Sequence, residues 1–94
     1  MTAGFRSVSS TEAFKRDFKR LDPQTKRYVE ECIQDILQAI IPERRRFHCI
    51  DQGRPKVFSV DVTTNKAYKL SLQIEEGVAI LRRVGTHVVI DRVG

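Results

Sequence analysis

The feature that most constrains this fold is a change of hydrophobic period at Pro42. Before it, Tyr28, Val29, Cys32, Ile33, Ile36, Leu37, Ile40 and Ile41 recur in pairs at helical spacing, a wide apolar face. Proline stops that helix. Beyond it, apolar and polar side chains alternate. "RRFHCI" (45–50) reads as a strand closed by the turn residues "DQG". In "KVFSVDV" (56–62), Phe58, Val60 and Val62 share one face. In "KAYKLSLQI" (66–74), Tyr68, Leu70, Leu72 and Ile74 face one way, and Ala67, Lys69, Ser71 and Gln73 the other. "TTN" (63–65) and "EEG" (75–77) have the spacing of hairpin turns, and "VAILRRV" (78–84) closes a meander. One switch of period from 3.6 to 2 predicts helices packed on one face of an antiparallel sheet.

The segment before the long helix fits that plan. "GFRSV" (4–8) reads as a short strand, and Ser9 with Glu12 forms a capping box for a first helix. Phe14, Phe18 and Leu21 make its apolar stripe, against a surface of Lys15, Arg16, Lys19 and Arg20. Asp22 and Pro23 then open the second helix as N-cap and first helical residue. The expectation is a single α+β domain over residues 1–94: strand, two helices, antiparallel meander. Its core should pack Ile33, Ile36, Leu37 and Ile40 on Phe58, Val60, Leu70 and Leu72.

The chain is short and basic. At 94 residues it is one domain, burying roughly 60–65% of its unfolded surface. Cys32 and Cys49 lie in apolar stretches without ligand spacing, as buried free thiols of a reducing compartment do. "MTAGFRSVSS" lacks the apolar core of a signal peptide, and no run approaches the roughly 18 apolar residues of a membrane span. A cytoplasmic location with no membrane partner is expected. His48 and His87 are the only histidines, and no acidic cluster has ligand spacing, so neither a metal nor another cofactor is expected. A formal charge of +5 and a pI near 9.6 point to an acidic partner: RNA, DNA or protein.

Helices cover one side of such a sheet, and the side left open collects polar residues. Lys56, Lys69, Arg83 and His87 would edge one shallow basic surface there. Arg54, Arg82 and Arg92 are further candidates for phosphate contact. Strict alternation groups Arg83 with Ala79 and Leu81, and Arg82 with Val78 and Ile80; a bulge would change that grouping, so both arginines stay open. A mid-strand lysine also serves simply to solvate an exposed face.

"STEAFKRDFKRL", the long second helix, "RFH" entering the sheet and "YKLSLQIEEGVAILRRVGTH" follow one another in an order that resembles the RelE/ParE superfamily of bacterial toxins. The resemblance spans almost the whole chain. It implies a small basic toxin of a type II toxin–antitoxin system, held inactive by a cognate antitoxin, commonly a small DNA-binding protein. RelE-like members cut messenger RNA on the ribosome; ParE-like members poison DNA gyrase. In the RNA-cleaving members, basic side chains bind phosphate, activate the ribose 2′-hydroxyl and neutralise charge in the transition state.

The resemblance puts Lys69 where those members carry an arginine, which keeps charge but loses the bidentate fork. It puts His87 on the basic residue after "V-G-x", where an imidazole suits acid–base work. Arg83, at the edge of the same basic surface, completes the candidate catalytic set. "KVFSVDV" lacks the paired lysines of the best-known RNA-cleaving type and offers Ser59 and Asp61 instead. No aromatic follows His87 in "VVIDRVG". A non-catalytic nucleic-acid-binding module, and a protein-binding domain using the basic first helix, are the alternatives from other classes.

Overall fold

The computed structural model describes residues 7–38, 41–53, 55–63 and 67–93. Five strands form one sheet: β1 (Ser7–Ser10), β2 (His48–Asp51), β3 (Val57–Asp61), β4 (Tyr68–Glu75) and β5 (Val78–Thr86). Three α-helices accompany it: α1 (Glu12–Lys19), α2 (Pro23–Ile36) and α3 (His87–Val93). A single 3-10 turn, Glu43–Arg45, leads into β2. The spatial order is β1-β5-β4-β3-β2, antiparallel throughout except where β1 runs parallel to β5.

The local chemistry explains most boundaries. Thr11, not Ser9, caps α1: its hydroxyl accepts from the Phe14 N–H, while Ser9 pairs with Ile80 inside β1. Glu12 meets Lys15 on the helix surface at 3.5 Å instead of closing a capping box. Asp22 caps α2 as expected, accepting from the Thr25 N–H, with Pro23 behind it. Helix α2 ends at Ile36 with Leu37 as its C-cap, short of Pro42; Ile40 lies outside the described residues. The β4–β5 hairpin turns on Glu76 and Gly77 at φ 50° and 81°. Two successive positive φ values match the right-handed twist of the flanking strands, and glycine at the second costs nothing sterically.

The core lies between the sheet and α1 with α2. Phe14, Val29, Cys32 and Ile36 pack on Val60, Val62, Leu70, Leu72, Ala79, Leu81 and Val84. Ile33, Leu37, Phe58 and Tyr68 pack against that cluster, half-buried, so the expected core forms among the described residues. Tyr28 departs from its expected place: it is largely exposed, and its hydroxyl accepts from Gln24. Arg45 braces the rim, its guanidinium donating to Asp35 at the end of α2 and to the Asp61 and Val62 carbonyls at the end of β3.

The other face of the sheet is the main correction. It was expected to be open, yet Ser59, Asp61, Lys69 and Ser71 are all buried there. Over β4 and β5 the cover is α3, which the apolar alternation of the strands does not announce. Strand β5 runs through Gly85 to Thr86 without a glycine turn, and the chain then folds back as α3 over β4 and β5. A Cβ at Gly85 would stand 3.6 Å from Val89 of α3, and Ile90 is fully enclosed.

Candidate functional site

Register defines the site. Asp61 pairs with Lys69, and Lys69 with Gly85, so these three positions form one row across β3, β4 and β5. The adjacent row is His48, Ser59, Ser71 and Arg83. Beyond the first row, the His87 N–H donates to the Ala67 carbonyl at 3.1 Å. Ala67 and Lys69 are two residues apart on one strand, about 7 Å. His87 is therefore a neighbour of Lys69 at the mouth of α3, and it is exposed.

Lys69 is only 9% exposed, directly opposite Asp61 at 2%. Neither Asp61 carboxylate oxygen has a hydrogen bond, nor does Ser59 Oγ. Buried polar atoms are almost always paired, because each lost bond to water is expensive. Ser59 and Asp61 follow each other on one face of β3 with these atoms unpaired.

A bulge falls at the two arginines. Ser71 pairs with Arg83 and Leu72 with Leu81, leaving Arg82 as the extra residue. Both arginines thereby leave the core face to Leu81 and Val84. Arg82 donates to the Gln73 side chain. Arg83 reaches past the sheet edge to α1, its Nε 2.6 Å and its Nη2 3.2 Å from the Asp17 carboxylate. That bond holds the Arg83 pKa above its ordinary value, keeping the group cationic.

The remaining sequence candidates are not gathered here. Lys56 is exposed and precedes β3, five residues along the strand from Asp61 and so about 16 Å away. Arg54 lies outside the described residues; Arg92 belongs to α3, and its side chain is not described. His48, set aside in the sequence, shares the site's face but stands three strand spacings from Arg83, about 14 Å. Asp61 and Ser59 are the residues that sequence reasoning undervalued. The sequence marks them only as what stands in β3 in place of the paired lysines that the resemblance implies.

No group of three or more potential metal ligands occurs among the described residues. A groove at the far end of the same face is lined by Ser9, Glu75, Glu76, Val78 and Ile80. Its two carboxylates, Glu75 and Glu76, repel phosphate, unlike the cationic groups at the other end of the face.

Several solved structures with this architecture carry toxin names. The RelB–RelE antitoxin–toxin complex from Methanococcus jannaschii superposes with TM-score 0.69 at 15% identity, covering 93% of this chain and 99% of that one. YafQ from E. coli strain BL21(DE3) gives 0.66 at 14%, covering 88% and 94%. The isolated E. coli RelE toxin gives 0.62 at 17%, covering 92% and 93%. This chain has a RelE-like toxin fold. No family model and no curated protein matches the sequence. Among its described residues, no helix of the RelE-like domain is long and apolar enough to cross a membrane.

Proposed function

We propose that this RelE-like domain is the toxin of a type II toxin–antitoxin system, a ribosome-dependent messenger-RNA endoribonuclease that works without a metal ion. The observation that carries this is the placement of His87 beside Lys69 at the start of α3, with Arg83 one row beyond Lys69 and about 13 Å along β5 from His87. It supports cleavage because RNA self-cleavage needs what those side chains offer. The 2′-oxygen loses its proton to a base and attacks phosphorus; the P–O5′ bond breaks, and the departing 5′-oxygen takes up a proton. A 2′,3′-cyclic phosphate and a 5′-hydroxyl remain. His87 is exposed and is the group that exchanges protons with substrate. Lys69 is too buried to clamp phosphate and acts through its positive charge on the developing oxyanion. Arg83, with its side chain 32% exposed, is the direct phosphate ligand.

The partners on this reading are a cognate antitoxin, the ribosome and messenger RNA in the cytoplasm. Support for the antitoxin comes from neighbours solved as complexes, RelB–RelE and DinJ–YafQ. The test is primer extension on a messenger translated with the purified protein. Cuts within codons on ribosomes, and none on naked messenger, are expected. Intact messenger together with inhibited gyrase supercoiling would replace this reading with gyrase poisoning.

A further inference from the structure

Arg83 and Asp17 are 66 residues apart and meet with a definite polarity. Asp17 is the acidic residue in the middle of "STEAFKRDFKRL", on α1. Its carboxylate takes three hydrogen bonds: Arg83 Nε at 2.6 Å, Arg83 Nη2 and the Val84 N–H, both at 3.2 Å. It lies where β1 has ended and the edge of β5 would otherwise be bare. The carboxylate is largely enclosed, 14% exposed, while the arginine stays open at 32%. Ser71 Oγ also donates to the Arg83 carbonyl, fixing the backbone beneath.

We propose that Asp17 is a positioning residue that locks Arg83 as an oriented fork for an RNA phosphate. The inference rests on the RNA-cleaving reading of the same site. A guanidinium has five N–H donors in a fixed plane. Asp17 takes two of them, one from Nε and one from Nη2, and leaves both Nη1 hydrogens and one on Nη2 for two oxygens of a phosphate. The long side chain is already ordered before RNA arrives, so less conformational freedom is lost on binding.

The sign of the effect separates positioning from plain electrostatics. Removing a negative charge beside an anion site should tighten RNA binding if Asp17 acts only through its charge. Loss of positioning should weaken it. The experiment measures fluorescence anisotropy of a labelled single-stranded RNA oligonucleotide with wild type, Asp17→Asn, Arg83→Ala and the double variant, alongside thermal unfolding of each. Asp17→Asn retains an oxygen for the Val84 N–H and is expected to weaken RNA binding about tenfold, the coupling typical of contacting residues. In the Arg83→Ala background the same change should have no effect. Asp17→Asn that tightens binding, or weakens it equally in both backgrounds, overturns the proposal while leaving RNA binding intact. A wild type that binds no free RNA overturns the fork proposal, and the ribosome-dependent reading then stands or falls on primer extension alone. If Asp17→Asn does not fold, Asp17→Glu carries the same cycle.

Discussion

Asp61 and Lys69 stand directly opposite each other across β3 and β4, nearly inaccessible to solvent, and Asp61 makes no hydrogen bond through its carboxylate. A buried carboxylate depends on a nearby positive charge to offset its lost hydration. Lys69→Met should therefore lower the unfolding free energy by about 1–3 kcal/mol, more than loss of side-chain packing accounts for. Lys69→Met combined with Asp61→Val should recover much of that loss, because both desolvated charges are gone. Urea unfolding of the four proteins checks this; a double variant no better than Lys69→Met would refute the electrostatic account.

His87 is the opposite case, exposed and at the start of a helix. His87→Ala should reduce ribosome-programmed cleavage by about 10²–10⁴-fold, the usual worth of general acid–base catalysis. Its stability change should stay within about 0.5 kcal/mol, as for most surface substitutions. Equal growth arrest by wild type and His87→Ala would remove the proton-transfer role.

The two thiols differ in reactivity. Burial pushes the Cys32 thiol up to about 12, and its Sγ donates to the Asp61 carbonyl. Thiolate is the reactive form, so Cys32 should resist alkylation in the native state. Cys49 is only partly buried. Iodoacetamide at neutral pH should modify one thiol per folded chain and two after unfolding, with the label mapped by mass spectrometry. Rapid native labelling at Cys32 would show that the helix–sheet seam opens.

Acid should weaken the start of α2. The Thr25 hydroxyl and N–H both donate to Asp22 and hold its carboxyl below its usual value of 3.8. A depressed folded-state pKa stabilises the fold fully above the unfolded value and loses that contribution as pH falls through the folded one. Denaturation midpoints between pH 2 and 5 should fall for wild type more steeply than for Asp22→Asn, which still caps but does not titrate there. Parallel curves would show that the cap is not coupled to pH.

Ile36 is fully enclosed between α2 and the sheet. Ile36→Ala should cost about 2–5 kcal/mol, transfer loss plus cavity. A cost under about 1 kcal/mol in equilibrium unfolding would mean that the helix does not seal the core as described.

The sequence by itself determined the elements that have a periodic signature. The wide stripe of α2, the alternation of β3 and β4 and the "EEG" turn were legible because burial on one face imposes a period on the chain. It also determined the chemistry available: net basicity and two histidines. Three things were decided only by the tertiary structure. Parallel β1–β5 pairing joins segments too distant in sequence for any local pattern to specify. The short helix α3 packs over β4 and β5, and Lys69 is buried although alternation marks it as outward-facing. And the bulge at Arg82, with Asp17 waiting at the sheet edge, set the direction of Arg83. Periodicity records which face a residue occupies; what later packs on that face, and what reaches around its edge, depends on contacts between distant segments.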